Sequence, residues 1–244
     1  MIDLHSHILP ALDDGALDIA DALGMARQAA ADGVRTVCAT PHIRHDHDVV
    51  IAELETRVAA LNAELRARNI DVEVLTGGEV AETALSGLRD DELAAASLGG
   101  GGRWILLEPA PGPLGHSLVS AVDELERRGF RSVIAHPERH ADELLPQRLA
   151  TLVEAGALVQ ITAAMLEHEH AAPVIGRLAA DGLVHLLGSD SHSSRGGRPL
   201  RLSGGFAALR EAPDVAAHVD WMATDAPRAI LAGEDVEPPF PVSV

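Results

Sequence analysis

Ile2-Asp3-Leu4-His5-Ser6-His7 opens the chain as a short, mostly apolar strand candidate that runs into two histidines. Side chains along a strand alternate with period two, so His5 and His7 point the same way. The same arrangement recurs along the chain. Residues 35–39 lead into Thr40-Pro41-His42, and residues 72–76 into Gly77-Gly78-Glu79. Residues 104–107 end at Glu108-Pro109, residues 132–135 at His136-Pro137-Glu138-Arg139, and residues 185–187 at Gly188-Ser189-Asp190-Ser191-His192. Only the run 158–161, which leads into Thr162, ends without a His, Asp or Glu. The spacing is close to regular: 37 residues separate His5 from His42 and His42 from Glu79, then 29 and 28 lead to Glu108 and His136.

Helical patterns fill the intervals. Residues 18–32 repeat apolar Ile19, Leu23, Ala26 and Ala30, and residues 50–67, 118–128, 141–155 and 172–180 behave similarly. Gly33, Gly129, Gly156 and Gly182 each follow such a run as helix-terminating glycines. Apolar strands alternating with helices predict an α/β protein whose parallel strands are buried on both faces. That alternation alone suits a barrel or a doubly wound open sheet. The strand ends separate the two, because a barrel gathers its C-terminal ends around one site whereas an open sheet spreads them along a line. A seven-stranded parallel barrel is expected, forming one domain over residues 1–244. No segment reads as an interdomain linker: Gly99-Gly100-Gly101-Gly102 reads as a flexible loop and Pro238-Pro239-Phe240-Pro241 as an extended tail.

Composition narrows the function. The 244 residues are 47% hydrophobic, which argues against a disordered chain, and no apolar stretch approaches the ~18 residues of a membrane span. A formal charge of −18 repels phosphate backbones and argues against nucleic-acid binding. The single cysteine, Cys38, makes no internal disulfide, and the first residues lack the pattern of a secretory signal, so cytoplasmic residence is expected. Thirteen histidines stand in a chain with no tyrosine, three phenylalanines and two tryptophans, so the imidazoles ask for a chemical reason.

Imidazoles gathered with carboxylates bind divalent metals. A lone histidine at a strand end is ordinarily a hydrogen-bonded packing residue, and a lone His-x-His is weak evidence. Six ligand-bearing strand ends together are not explained by packing, since burying so many unpaired polar groups is costly. Asp13-Asp14-Gly15 can reach the same rim, or form an Asx turn leading into the first helix. His45 and His47, within Arg44-His45-Asp46-His47-Asp48, read as a solvated loop; His168 and His170 read as a solvated face. Cys38 lies inside an apolar strand and reads as packing. No glycine-rich phosphate loop follows the first strand. Arg139, Arg195 and Arg198 lie beside the ligand motifs, where they balance charge or clamp the oxygens of an anionic substrate. Metals and arginines on one rim favour a phosphate ester over a neutral amide. A metal-dependent amidohydrolase bridged by a carboxylated lysine is excluded, because the chain contains no lysine.

Residues 2–10 together with Asp13-Asp14-Gly15 resemble the first motif of the polymerase-and-histidinol-phosphatase (PHP) superfamily. Within it the chain is most similar to the bacterial manganese-dependent protein-tyrosine phosphatases encoded with capsule and exopolysaccharide genes. Ala39-Thr40-Pro41-His42, Gly78-Glu79-Val80, Leu107-Glu108, Ala135-His136-Pro137-Glu138-Arg139 and Gly188-Ser189-Asp190-Ser191-His192 carry the likeness, in order, to about residue 200. The resemblance implies a distorted, TIM-like (β/α)7 barrel with a three-metal site, Mn ahead of Fe, Zn or Mg. The implied ligands are His5, His7, Asp14, His42, Glu79, Glu108, His136, Asp190 and His192. It implies substrate-phosphate roles for Arg139 and Arg198 and favours Asp14 as a ligand.

The implied activity is metal-dependent phosphomonoester hydrolysis by metal-activated hydroxide, without a cysteine nucleophile. The implied substrate is a phosphotyrosine protein, with a bacterial tyrosine kinase as partner; no nucleic acid and no membrane insertion are expected. The alternative is a small-molecule phosphatase such as histidinol phosphatase of the same superfamily. A non-enzymatic barrel would have lost ligands, yet all nine positions are filled. Two positions depart from the pattern: Ile43 stands where a second histidine is frequent, and His140 where an aromatic residue often follows His-Pro-Glu-Arg. Both bear on how the groove selects a ring.

Overall fold

A computed structural model describes residues 1–243. Its strands are β1 Ile2–Ser6, β2 Thr36–Ala39, β3 His42–Ile43, β4 Glu73–Thr76, β5 Glu79–Ala81, β6 Trp104–Glu108, β7 Arg131–Ala135, β8 Leu158–Thr162 and β9 Leu186–Gly188. All pairs are parallel, in a three-stranded sheet β1-β2-β4 and a six-stranded sheet β3-β5-β6-β7-β8-β9. The protein is therefore an α/β fold with parallel sheets.

Seven continuous strands were expected, and the difference lies at the second and third. Thr40-Pro41 interrupts the second run between β2 and β3, and Gly77-Gly78 interrupts the third between β4 and β5. Proline has no N–H for the ladder, and glycine in a strand marks a bend or a close backbone approach. The approach here is close: a Cβ on Gly78 would stand 2.3 Å from Ile43 Cδ1. Beyond the breaks the chain pairs in the other sheet, with His42 opposite Glu79 and Ala81 opposite Glu108. On the far side β9 returns to β1. Ser6 and Ser191 form a parallel bridge, Asp190 N donates to His5 O at 2.9 Å, and His7 N donates to Ser191 O at 2.9 Å.

Alternate residues of each strand enter different apolar clusters, as period-two geometry requires. Val37, Ile105, Leu107, Ile134, Val159 and Ile161 pack with the helices. Leu4, Cys38, Leu106, Val133, Leu158 and Leu186, from six different strands, pack with one another on the opposite face. The helices are α1 Ile19–Asp32, α2 Leu54–Ala67, α3 Asp90–Ala96, α4 His116–Arg127, α5 Leu145–Glu154, α6 Ala172–Ala180 and α7 Ser203–Arg210, followed by the short α8 Pro213–Ala216 and α9 Ala226–Leu231. Asp18 caps α1 by accepting from Asp21 N at 2.8 Å, and Gly33 ends it with φ 84°. The first turn of the expected 50–67 helix is a 3-10 turn, and α5 starts at Leu145, with Pro146 in its first turn.

The glycine run differs from the loop expected of it. Gly99 lies in a 3-10 turn packed against α9, where a Cβ would meet Leu231 Cδ2 at 2.6 Å. The tail is anchored as well: Phe240 packs on His185, His218 and Trp221. No helix among the described residues is long and apolar enough to cross a membrane.

Candidate metal centre

The topology carries side chains from six strand ends to one place. His5 lies on β1 and His7 just past it; His42 lies on β3, Glu79 opens β5 and Glu108 closes β6. His136 follows β7, Asp190 and His192 follow β9, and Asp14 comes from the loop after β1. Donor atoms fall within 4.8 Å of one another in four overlapping groups: His7, Asp14, His42 and His192; His5, His136 and Asp190; His5, His7 and Glu79; and His42, Glu79 and Glu108. Every one of the nine expected ligands is in a group. Glu79 is the hub. Its carboxylate lies 2.8 Å from His136 Nε2, 2.9 Å from His42 Nδ1, 3.3 Å from His7 Nε2 and 3.4 Å from His5 Nε2. His5, His7 and Glu79 are fully buried, whereas the Asp14 side chain is 54% exposed and forms the open edge.

Two of the nine residues stand in backbone regions that side chains disfavour. His136 has φ 34° and Asp190 φ 49°. Left-handed backbone at a residue with a Cβ costs roughly 1–2 kcal/mol. Such outliers concentrate where function over-determines the geometry. Here the turn at the end of β7 and of β9 brings the side chain into the cluster.

Burial opposes charge on Glu79, but His5, His136 and His42 hold its carboxyl well below the usual range. Burial likewise disfavours the His7 imidazolium, yet Asp13 and Glu79 outweigh it and raise the pKa to about 9. Burial lowers His136, and burial followed by the charge of His7 lowers His192. Three buried atoms of the cluster lack a hydrogen-bond partner: His42 Nδ1, Glu79 Oε2 and His136 Nδ1. His42 Nδ1 and Glu79 Oε2 approach each other without the alignment of a hydrogen bond. Orphaned lone pairs in a dry site are costly, and imidazole with carboxylate is the donor set that divalent cations take. The residues fit such cations.

Arg139 and Arg198 both face the cluster. Each pairs with Asp190 Oδ2, Arg198 at 3.0 Å, and Arg198 Nε donates to Asp190 O at 3.0 Å. Arg195 instead pairs with Asp18 at 2.8 and 2.9 Å, at the start of α1. Cys38 is buried in β2, and burial pushes its thiol up to about 12, so no thiolate is available.

Residues 1–231 match the family of capsular polysaccharide synthesis proteins CpsB/CapC. The chain belongs to the CpsB/CapC family. It is 33% identical over 258 residues to the tyrosine-protein phosphatase YwqE of Bacillus subtilis (strain 168), covering 99% of this chain and 96% of that protein. It also superimposes, with a TM-score of 0.83, 31% identity and full coverage of both chains, on one of the crystal structures of YwqE from Bacillus subtilis and CpsB from Streptococcus pneumoniae, described as metal-dependent tyrosine phosphatases. A β-aspartyl dipeptidase from Fervidobacterium islandicum superimposes with a TM-score of 0.59 at 15% identity, covering 94% of this chain and 72% of that one, a likeness of fold alone.

Several features of this CpsB/CapC chain differ from the sequence reading. His47 is not simply solvated: it is half-buried and stacks on His42 with ring centroids 5.1 Å apart. His45 is exposed as expected, and His168 and His170 stay outside the cluster. Arg44 stands in the run expected to be a solvated loop, yet its Nη1 donates to Glu108 Oε1 at 3.1 Å. Asp13 forms the expected turn, accepting from Gly15 N at 3.0 Å, and also contacts His7. Gln160 contacts His5 from β8, the one strand run that ends without a His, Asp or Glu. Two clefts flank the Glu108-Pro109 rim. One, of about 480 Å³, is lined by Pro111, Pro113, Arg139 and His140; the other, of about 360 Å³, by Arg44, His45 and Thr83.

Proposed function

We propose that the chain is a metal-dependent phosphomonoester hydrolase that acts on phosphotyrosine in proteins. The observation that carries this reading is the convergence of nine ligand-type side chains and two cluster-facing arginines on one rim. The tyrosine phosphatases among its relatives support it. Divalent cations, Mn first, supply Lewis acidity when bound there, bringing the pKa of water toward neutrality and offsetting phosphoryl charge.

The chain's own residues do the rest. His5, His7, Asp14, His42, Glu79, Glu108, His136, Asp190 and His192 hold the cations, in three positions. Arg139 and Arg198 turn their guanidiniums from Asp190 toward the phosphoryl oxygens, whose gathering charge they stabilise. The cleft beside Arg139 takes the phenol ring, with His140 and the Pro111–Pro113 loop as its walls. The architecture behind the site is a distorted (β/α)7 barrel in one domain over residues 1–244, with β2/β3 and β4/β5 each a single broken strand. The bridge from β9 to β1 supports that closure. A cytoplasmic tyrosine kinase of polysaccharide synthesis is the partner this chemistry suits.

The test is a comparison of kcat/KM under Mn(II) for a phosphotyrosine peptide, a phosphoserine peptide and histidinol phosphate, with a chelator control. The phosphotyrosine peptide is expected to exceed both, and chelation to abolish turnover. Aryl phosphates have the better leaving group, so the comparison with histidinol phosphate is needed alongside phosphoserine. Histidinol phosphate as best substrate would make the chain a small-molecule phosphatase. Full activity after chelation would remove the metal mechanism.

A further inference from the structure

Two side chains outside the nine candidate ligands each hold one imidazole of the cluster. His7 Nδ1 lies 2.7 Å from Asp13 Oδ2, and His5 Nδ1 lies 2.9 Å from Gln160 Oε1. Both partners are oxygens that accept. A ring that gives Nε2 to a cation carries its one proton on Nδ1, so these contacts select that tautomer. The two Nε2 atoms then face the cluster: they stand 3.3 Å apart, and 3.4 and 3.3 Å from the oxygens of Glu79.

The surroundings are built around both pairs. A Cβ on Gly15 would lie 2.2 Å from His7 O and 2.9 Å from Asp13 Oδ1. A Cβ on Gly188 would lie 2.7 Å from Gln160 Nε2 and 2.9 Å from His5 Cβ. Neither glycine has positive φ, so close packing rather than backbone freedom demands glycine at each. Gln160 is fully buried and two residues before the end of β8, and its Nε2 has no partner. Burying a primary amide with both its donors unmet is unfavourable, and among the described residues the contact with His5 is the one polar bond its side chain makes. Asp13 does more: its Oδ2 also accepts from His42 N at 3.0 Å, which ties the backbone of a second candidate ligand to the same carboxylate.

We propose that Asp13 and Gln160 are positioning residues that fix the tautomer and the aim of His7 and His5 for cation binding. This rests on the metal-site reading above. The sixth strand run, β8, thereby takes part in the centre through a residue one layer beneath the rim. The two clamps differ in charge. Asp13 is an anion that makes His7 a more basic ligand, whereas Gln160 is neutral and leaves His5 the weaker donor. Oriented outer partners of this kind are worth about 10- to 100-fold in metal affinity.

The experiment strips the full chain with chelator and measures two quantities: the Mn(II) dissociation constant, by competition with a fluorescent chelator, and the unfolding midpoint without metal. Gln160→Leu and Asp13→Asn are expected to weaken Mn(II) binding about 10- to 100-fold. Asp13→Asn fails because one amide oxygen must replace two carboxylate oxygens serving three donors. Gln160→Glu, which restores an acceptor and adds charge, is expected to recover most of the affinity that Gln160→Leu loses. Should Gln160→Leu fail to fold, Gln160→Met reads the same loss with side-chain length kept. A merely structural role predicts lower midpoints with Mn(II) affinities within about twofold of the parent, and that result overturns the proposal. A parent chain that binds no Mn(II) overturns the metal-site reading itself, an outcome distinct from a binding parent with unaffected variants.

Discussion

Arg139 and Arg198 differ from Arg195 in what they face. Both reach Asp190 inside the cluster, and burial lowers the pKa of each guanidinium from its ordinary value. Arg195 is bound to Asp18 on the outer surface. A donor aimed at transition-state charge is typically worth about 10²–10³ in rate, so Arg139→Ala and Arg198→Ala should each lower kcat by that order. Their unfolding midpoints should change little. Lysine at either position should restore only part of the rate, because an ammonium does not copy a two-point guanidinium contact. Arg195→Ala should leave kcat near the parent value. Steady-state kinetics on the five single variants check this. Equal kcat in Arg139→Ala and the parent would leave Arg139 a counter-ion to Asp190. At this scale eight of the nine candidate ligands were legible at the ends of apolar strand runs, which fix where those side chains point; Asp14, in the loop after β1, was favoured only through the family resemblance. Asp13 was not, because its neighbour Asp14 has the same chemistry and spacing does not say which side chain turns inward; Arg44 was not, because it stands in the charged run 44–48, which reads as a solvated loop.

Among the elements, the two broken strands were the least legible. Pro41 and Gly77-Gly78 mark the breaks in the sequence, but pairing partners across a break are set by contacts such as Gly78 against Ile43 that no local pattern records. Gln160 escaped for a related reason: it looks like an interior strand residue, and only the return of β1 beside β9 brings His5 to it. The edge of β9 holds a further consequence. His185 precedes the strand, is fully buried, accepts from Val159 N at 3.0 Å through Nδ1 and stacks on Phe240 of the tail. Burial lowers its pKa from 6.5 to about 4. The fold therefore binds the neutral ring. That stabilisation is whole above pH 6.5, the unfolded value, and is lost as pH falls through about 4. Between pH 7 and pH 5 the loss attributable to His185 should be about 2 kcal/mol. His185→Asn keeps an acceptor for Val159 N and does not titrate. Urea unfolding of the metal-free protein at the two pH values should show a smaller fall in the variant. An identical fall in both would place the acid sensitivity elsewhere.

At the scale of the whole molecule the fold gathers charge that it does not neutralise by itself. The chain carries a formal charge of −18, and Asp190, Glu79 and Glu108 are drawn together with Asp14 at one rim. Histidines and three arginines offset part of this; Arg44, Arg139 and Arg198 all pair with members of the cluster. The cluster also stands where the strand ends meet, so anything that binds it ties β1, β3, β5, β6, β7 and β9 together at one point. A ligand that binds the folded chain alone stabilises it by RT ln(1 + [L]/Kd), about 2.7 kcal/mol per site at a hundred times Kd. For a domain of this size each kcal/mol moves the midpoint by roughly 2–4 °C. Filling one site of the chelator-stripped protein with Mn(II) should therefore raise Tm by about 5–11 °C. Filling further sites should add to this, and excess chelator should reverse it. Calorimetry across an Mn(II) titration measures the shift, with NaCl at matched ionic strength as the control for screening. The rise should persist in 0.5 M salt, since screening weakens surface charge pairs far more than buried coordination. A midpoint that moves equally with Mn(II) and with matched ionic strength would mean that the rim is relieved by screening alone, and the nine side chains would then be a charge cluster without a cation of their own.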